Sequence, residues 1–234
     1  MLGTLACWLG HTVDLRVTGA YGDDVPKAQR ESVRFEFDAD KAIAVIAYLA
    51  SKPDEVTSLD KYKAGKLIFL LDKYHLVRYG RPVVGGEYRA LQWGPVPQDP
   101  IDLLHEVTAK TAPANLSGAA QFLLGSVEVD KRWKYPRLSA KAATNLEALS
   151  RSEIMALDRI ISLHGRKSFA ELKALTHEMP AFRVPWASKD EDDNVAPMRY
   201  EDFFEEDTDA IEGAYEEMIE NAELQSRFPA PNEI

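Results

Sequence analysis

The side chains that could perform chemistry include five histidines, spread over the chain: His11, His75, His105, His164 and His177. No two of them stand at the i, i+4 spacing that places two zinc ligands on one face of a helix, and none belongs to a recognised zinc motif. Cys7 is the single cysteine, so neither an internal disulfide nor a cysteine-rich metal site can form. The pattern therefore favours packed or surface histidines over a metal centre.

Catalytic motifs are also missing from the sequence. It contains no G-x-S-x-G nucleophile motif. The pair Gly85-Gly86 is not followed by the Gly-Lys-Ser/Thr of a phosphate-binding loop. No pair of carboxylates stands out on one apolar face. We expect a protein that is not an enzyme and that uses no cofactor or metal.

Residues 74–97, YHLVRYGRPVVGGEYRALQWGPVP, concentrate aromatic, glycine and proline residues in one short span. Tyrosine and tryptophan give a large contact area at low entropic cost. Proline and glycine fix a loop before it binds, which reduces the ordering cost. This composition indicates a surface that grips another protein, although some of the rings could instead cover the core.

The elements around this span are mainly helical. Apolar residues at helical spacing predict a helix from Asp38 that ends at Pro53, and a second, strongly apolar helix from an N-cap at Ser58 to a stop at Gly80. A hairpin closed by Gly85-Gly86 should follow, with Tyr88 to Trp93 in its second strand. Residues 94–97, GPVP, would then form a stiff, extended exit.

The second half of the chain continues this pattern. Residues 126–140 could hold one or two short strands, and capping boxes at Ser150 and Ser168 each predict a helix. Pro180 and Pro185 are expected to break the chain. A last, acidic helix is predicted within 207–223, with a narrow apolar stripe: Ile211, Tyr215, Met218 and Ala222. The predicted fold is mainly α (α+β), a compact helical domain with an inserted β-hairpin and an acidic C-terminal helix.

The charge is distributed unevenly. Residues 187–223 contain 15 acids and 2 bases, whereas the whole chain has a net charge of −10, so the remainder carries about +3. The lysines of the second predicted helix are interrupted by Asp60 and Asp72. Because nucleic-acid binding normally requires a large basic surface, this composition argues against direct binding of nucleic acid. The acidic segment is interpreted either as a solubilising tail or as a contact for a basic partner.

Residues 1–34 show no clear period and are interpreted as an N-terminal extension, with the hypothesis that translation starts at Val33. No window reaches 18 apolar residues and the start lacks a basic region, so we expect no membrane association, no signal peptide and a cytoplasmic protein.

Residues 66–97, KLIFLLDKYHLVRYGRPVVGGEYRALQWGPVP, resemble the signature of the Panacea domain, also called the SocA-like antitoxin domain. The matching positions include Lys66, Tyr74, Gly80, Gly94 and Pro95. A second match lies in residues 149–183, where Thr176 and His177 precede an aromatic segment. The resemblance places the domain at 35–206 and leaves 207–234 as an acidic helical extension.

The resemblance implies an antitoxin of a bacterial or phage toxin–antitoxin system that neutralises the toxin of a neighbouring gene by direct binding. Two alternatives remain open: a proteolytic adaptor that delivers the toxin to the ClpXP protease, and a DNA-binding regulator. The expected partner is therefore a cognate protein toxin, with ClpXP as a further candidate.

The predicted contact residues fall into two groups. The hairpin group is Arg81, Tyr88, Arg89, Trp93 and Pro95. The acidic-helix group, which would meet a basic toxin, is Glu212, Tyr215, Glu216 and Ile219. A third group is expected mainly to hold the domain together: Lys66, Tyr74, Gly80, Gly94 and His177.

Overall fold

The computed structural model describes residues 32–109, 116–141, 144–204 and 211–228. These residues contain eight α-helices: α1 (Ala39–Ala50), α2 (Lys61–Tyr79), α3 (Gln98–Thr108), α4 (Gly118–Ser126), α5 (Arg151–His164), α6 (Phe169–His177), α7 (Pro180–Ser188) and α8 (Ala214–Arg227). The strands are β1 (Tyr88–Leu91), β2 (Gly94–Pro97), β3 (Val127–Asp130), β4 (Arg137–Ala140) and β5 (Val195–Pro197). A 3₁₀ helix spans Tyr200–Phe204. The prediction of a mainly α fold with some β-structure is confirmed. The predicted N-terminal extension lies almost entirely outside the described residues.

Helix α2 is the central element, as its apolar sequence predicted. Its fully buried side chains include Leu67, Ile68 and Phe69, and it packs against α3, α5, α6, α8 and β2. Its N-cap is Asp60, whose carboxylate accepts hydrogen bonds from the amides of the first turn, so the prediction of Ser58 was wrong. Gly80 ends the helix in the left-handed conformation, as predicted.

The predicted β-hairpin is present, but the prediction that Gly85-Gly86 form its turn is wrong. Strands β1 and β2 pair antiparallel, and Gln92 and Trp93 form the turn between them. Residues 94–97 are therefore the second strand, and they form an edge of the sheet order β2-β1-β5. An edge strand tolerates the two prolines of GPVP because its outer amides need no partner.

The glycine pair serves a different purpose. Gly85 and Gly86 have φ of 74° and 86°. A Cβ on Gly85 would overlap the carbonyl oxygen of Glu36, and one on Gly86 would overlap the Asp99 carboxylate. These glycines let the segment before β1 pass close to its neighbours.

The strands and capping boxes predicted in the second half are confirmed, whereas the predictions for the prolines and for the start of the last helix are wrong: α8 begins at Ala214, so Ile211 of the predicted apolar stripe lies outside it. Residues 127–140 form the two-stranded sheet β3-β4, and both capping boxes are present, at Ser150 and Ser168. Pro180 and Pro185 do not break the chain, because both lie within α7. Pro180 occupies the first turn of α7, where a backbone amide needs no partner within the helix. Phe182 and Trp186, which flank Pro185 in the chain, stack their rings on each other.

Helix α8 belongs to the same compact unit, residues 32–234, as the helices before it. It packs on α2 through Ala214 and Met218, both buried. None of the described helices combines the length and the apolarity needed to cross a bilayer.

Candidate partner-binding groove

The β1–β2 turn presents Trp93 to solvent, with 54% of its surface exposed. The ammonium of Lys173, on α6, lies over the indole, 4.3 Å from the ring centroid. A large ring held outside the core by a tight turn is the kind of anchor that dominates protein–protein interfaces.

Trp93 lines a surface groove of about 400 Å³. Its other walls come from α2, α3, α6 and the loop between β3 and β4. The ring of Tyr62 meets those of Tyr135 and Phe169 edge-to-face, at centroid distances of 5.4 and 6.1 Å. Tyr62 and Tyr135 remain 42% and 47% exposed. We call this surface the aromatic groove, formed principally by Tyr62, Lys66, Trp93, Pro95, Tyr135 and Phe169.

Lys66 reaches the groove from α2 but is only 3% exposed. Its Nζ donates a hydrogen bond of 2.6 Å to the carbonyl oxygen of Pro95. Burial, together with the positive charge of Lys173, lowers the pKa of the Lys66 ammonium to about 7. The bond ties α2 to the edge strand β2, so it fixes one wall of the groove.

Gly94 lies where three separate segments meet. Its φ is 98°, and a Cβ there would lie 2.8 Å from Lys66 Nζ and 3.1 Å from both Thr176 Oγ1 and His177 Cδ2. The imidazole of His177 stacks on Phe182 at 4.4 Å. Burial lowers the pKa of His177. Residues from both resembling motifs therefore converge beside Trp93.

The hairpin residues predicted as contacts lie in different environments. Trp93 and Pro95 line the aromatic groove together. Arg89 is exposed, but it lies outside that lining and pairs with Glu87 at 3.2 Å. Tyr88 is 4% exposed and lies in the core, so its ring offers no surface to a partner.

Sequence reasoning missed the role of Asp72, because in the sequence this residue is only an acid among the lysines of α2. Asp72 is fully buried, and its carboxylate accepts hydrogen bonds of 2.9 Å from the amides of Val83, Val84 and Gly85. The hydroxyl of Tyr88 donates a fourth, at 2.8 Å. Burial raises the pKa of Asp72 to about 6, against the opposing effect of these four donors. One side chain therefore anchors the whole segment that leads into the hairpin.

Arg81 is also an internal contact. Its Nη1 lies 2.5 Å from Oε1 of Glu153, which is 1% exposed and also binds Lys41 at 3.0 Å. Despite burial, the amide of Ser150 and these two cations lower the pKa of Glu153 to about 2. His75 is buried beside this cluster, where its ring nitrogens meet the Arg81 carbonyl oxygen and the Ser152 hydroxyl at 2.8 and 3.2 Å.

The acidic-helix group divides between two faces of α8. Tyr215 is half-buried, with its ring edge-to-face to Phe204 at 5.3 Å. Glu216 and Ile219 lie on the exposed side of α8, and Glu212 lies in the exposed turn that precedes the helix.

Gly80 is the point where α8 meets α2. A Cβ on Gly80 would lie 2.5 Å from Glu217 Cβ, and the Gly80 carbonyl oxygen accepts a bond of 3.3 Å from Asn221. Tyr74, six residues before Gly80 on α2, packs partly against the core with the guanidinium of Arg78 3.8 Å from its ring centroid.

The remaining candidate ligands do not assemble. Among the residues that the structure describes, no three His, Cys, Asp or Glu side chains come together as a metal site. His105 is exposed, with Nδ1 3.2 Å from Lys61 Nζ, and burial lowers the pKa of His164. Cys7 and His11 lie outside the described residues.

A family model described as "Antitoxin SocA-like, Panacea domain" matches residues 65–182. The chain belongs to this family. No curated protein and no solved structure matches the chain. The matched region contains most of the aromatic groove, including Lys66, Trp93, Tyr135 and Phe169, and it excludes α8.

Proposed function

We propose that this SocA-like chain is an antitoxin that neutralises a protein toxin by binding it at the aromatic groove. The observation that carries the proposal is the groove itself, in which exposed rings line a cleft within the family domain. Binding alone suffices for this mechanism, and no catalytic step is proposed.

The groove has the physical properties of a protein-binding surface. Tyr62, Trp93 and Tyr135 are each at least 42% exposed, and burying such rings contributes strongly to association. Two of these rings have ordered supports, because Tyr62 lies on the central helix α2 and the Lys66–Pro95 bond holds the edge strand that follows Trp93. A preformed site loses little conformational entropy on binding, so more of the contact energy appears as affinity.

The other predicted contact residues have different proposed roles. Arg89 would contribute at the margin of the interface, where an exposed charge affects association rate more than affinity. Arg81 and Tyr88 would act through the fold, by holding Glu153 and Asp72. The exposed acids of α8 would form a second contact if the toxin is basic.

The test is co-expression of the full chain with the product of each adjacent gene, scored for growth and followed by co-purification. Trp93→Ala should weaken co-purification of the neutralised toxin, with a loss of affinity of about 30-fold for an anchor worth roughly 2 kcal/mol. Phe122→Ala is the matched control, since Phe122 is 74% exposed on α4 and lies outside the groove. If Trp93→Ala binds and neutralises the toxin as well as the native chain does, the aromatic groove is not the contact.

The same co-expression separates the two alternatives. A stable but inactive toxin in the lysate supports neutralisation by binding. A toxin that disappears only when ClpXP is present would instead make the chain an adaptor. A toxin that is never bound, together with retardation of the chain's own promoter fragment, would favour a DNA-binding regulator.

A further inference from the structure

The loop between β3 and β4 and the strand that follows it are strongly basic. Residues 131–141 contain no acid and five bases: Lys131, Arg132, Lys134, Arg137 and Lys141. The local charge of +5 contrasts with the net charge of −10 for the whole chain. A partner that approaches this loop meets the local charge first, because charges beyond about 10 Å are largely screened at physiological salt.

Two exposed aromatic rings lie among these cations. Trp133 and Tyr135 are 48% and 47% exposed. The guanidinium of Arg137 lies 3.5 Å from the Trp133 ring centroid, and the ammonium of Lys134 lies 5.2 Å from that of Tyr135. Each cation approaches its ring from one side. The row of rings continues to Tyr62, which meets Tyr135 edge-to-face.

Few internal anions neutralise this charge. Arg132 donates two hydrogen bonds of 2.8 Å to Asp130, so the carboxylate that precedes the loop is already paired. Lys131 and Lys141 donate to carbonyl oxygens, so both keep their full charge. Among the described residues, no carboxylate lies within ion-pair distance of Lys134 or Arg137.

We propose that this basic loop, residues 131–137 with Trp133 and Tyr135, binds single-stranded nucleic acid. Bases would stack on the two rings, and phosphates would lie against Lys134 and Arg137. Stacking platforms combined with a cationic surface are the means by which proteins hold single strands without reading sequence. A duplex cannot use the rings in this way, because its bases already stack on one another.

This inference does not rest on the proposed antitoxin function, although Tyr135 belongs to both surfaces, and it departs from the expectation that nucleic acid is not a partner. That expectation depended on the charge of the whole chain, to which the 37 residues 187–223 contribute −13. It also depended on the lysines of α2, two of which are buried: Lys63 and Lys66 are each 3% exposed.

The test is fluorescence anisotropy of the full chain with labelled oligouridine and oligothymidine of about 12 nucleotides, within the range of known single-strand sites. We expect saturable binding that weakens roughly sevenfold between about 50 and about 200 mM salt, as two phosphate contacts, at Lys134 and Arg137, require. Trp133→Ala should lose at least about fivefold in affinity, and Trp133→Phe should retain most of it. Stronger binding of one oligonucleotide would identify RNA or DNA as the preferred strand.

Two matched variants and two competitors make the test specific. Phe122→Ala removes an exposed ring and Arg159→Ala an exposed cation elsewhere on the surface, and neither should change binding. Competition by polyglutamate as effective as by oligouridine would assign the loop to an acidic protein and overturn the proposal. Equal affinity for duplex DNA, or no binding at low salt, would also overturn it.

Discussion

The raised pKa of the buried Asp72 carboxyl predicts how the free energy of unfolding changes with pH. Two physical effects oppose each other at this side chain. Burial favours the neutral acid, whereas three backbone amides and the Tyr88 hydroxyl favour the carboxylate. Burial prevails, and the pKa rises from 3.8 to about 6 in the folded state. Between these two values the folded chain holds a proton that the unfolded chain has lost, so the contribution of Asp72 to stability falls as the pH rises.

The magnitude follows from the two pKa values. A shift of about two pH units corresponds to about 3 kcal/mol, at 1.36 kcal/mol per unit. In Asp72→Asn the titrating proton is gone, and the amide nitrogen faces the Gly85 N–H, which loses its acceptor at a cost of about 1–3 kcal/mol. The difference in unfolding free energy between the native chain and Asp72→Asn should therefore widen by about 2.4 kcal/mol from about pH 7 to about pH 4, most of the full shift.

The assay is urea unfolding of both proteins over this pH range, monitored by tryptophan fluorescence. Other titrating groups, including Glu153, are common to both proteins and cancel in the difference. Tyr88→Phe is the control: it keeps the carboxylate but removes one of the donors that lower the pKa of Asp72, so the pH dependence should persist and become somewhat larger. A gap that narrows as the pH falls would refute the reasoning, since it would mean that the four donors outweigh burial.

Two further predictions concern the ends of α2. Gly80→Ala should lower the melting temperature and accelerate hydrogen exchange in α8. The reason is that Gly80 has φ of 61° and that a Cβ there would press on Glu217. Unchanged hydrogen exchange in α8 would contradict this contact. Lys66→Met should lose stability relative to the native chain by about 4 kcal/mol as the pH rises from about 7 to about 10, measured by urea unfolding. The sign follows because the folded Lys66 has lost its proton in this range and the unfolded lysine has not, and a constant gap would refute the lowered pKa.

The features predicted correctly from sequence depend on neighbours in the chain. The capping boxes at Ser150 and Ser168 each need only four consecutive residues. The stop at Gly80 needs only a backbone conformation that glycine adopts readily. Such local interactions are readable without knowledge of the packing.

The errors arose where a residue serves a distant neighbour. Gly85 and Gly86 have the positive φ expected of a hairpin turn, but they accommodate Glu36 and Asp99 instead. Asp72 stands in the sequence beside lysines on a helix, and nothing local shows that its four donors come from residues 83–88. Tyr88 was assigned to the surface for the same reason, although its hydroxyl serves that carboxylate. The motif DKYHLVRYGRPVVGGEY was the available signal, since an acid precedes a glycine-rich segment able to present free amides.

The two surfaces predicted to meet a toxin lie at opposite ends of α2. The aromatic groove uses Tyr62 and Lys66 near the start of this helix, and α8 docks on Gly80 at its end. At 1.5 Å per residue, these contacts are roughly 20–25 Å apart along α2. A partner that touched both would have to extend along most of the helix, which is feasible only for an interface of at least the usual size.

The charges at the two ends also differ. The groove and the basic loop beside it carry cations over exposed rings, whereas Glu212 precedes α8 and Glu216 lies on its exposed face. A uniformly basic toxin would be attracted to α8 and repelled from the basic loop, so charge alone would not bring it to the groove. If the proposed groove is the contact, affinity for it would therefore come mainly from burial of Trp93, Tyr62 and Tyr135, and the charges would set the orientation in which the partner arrives.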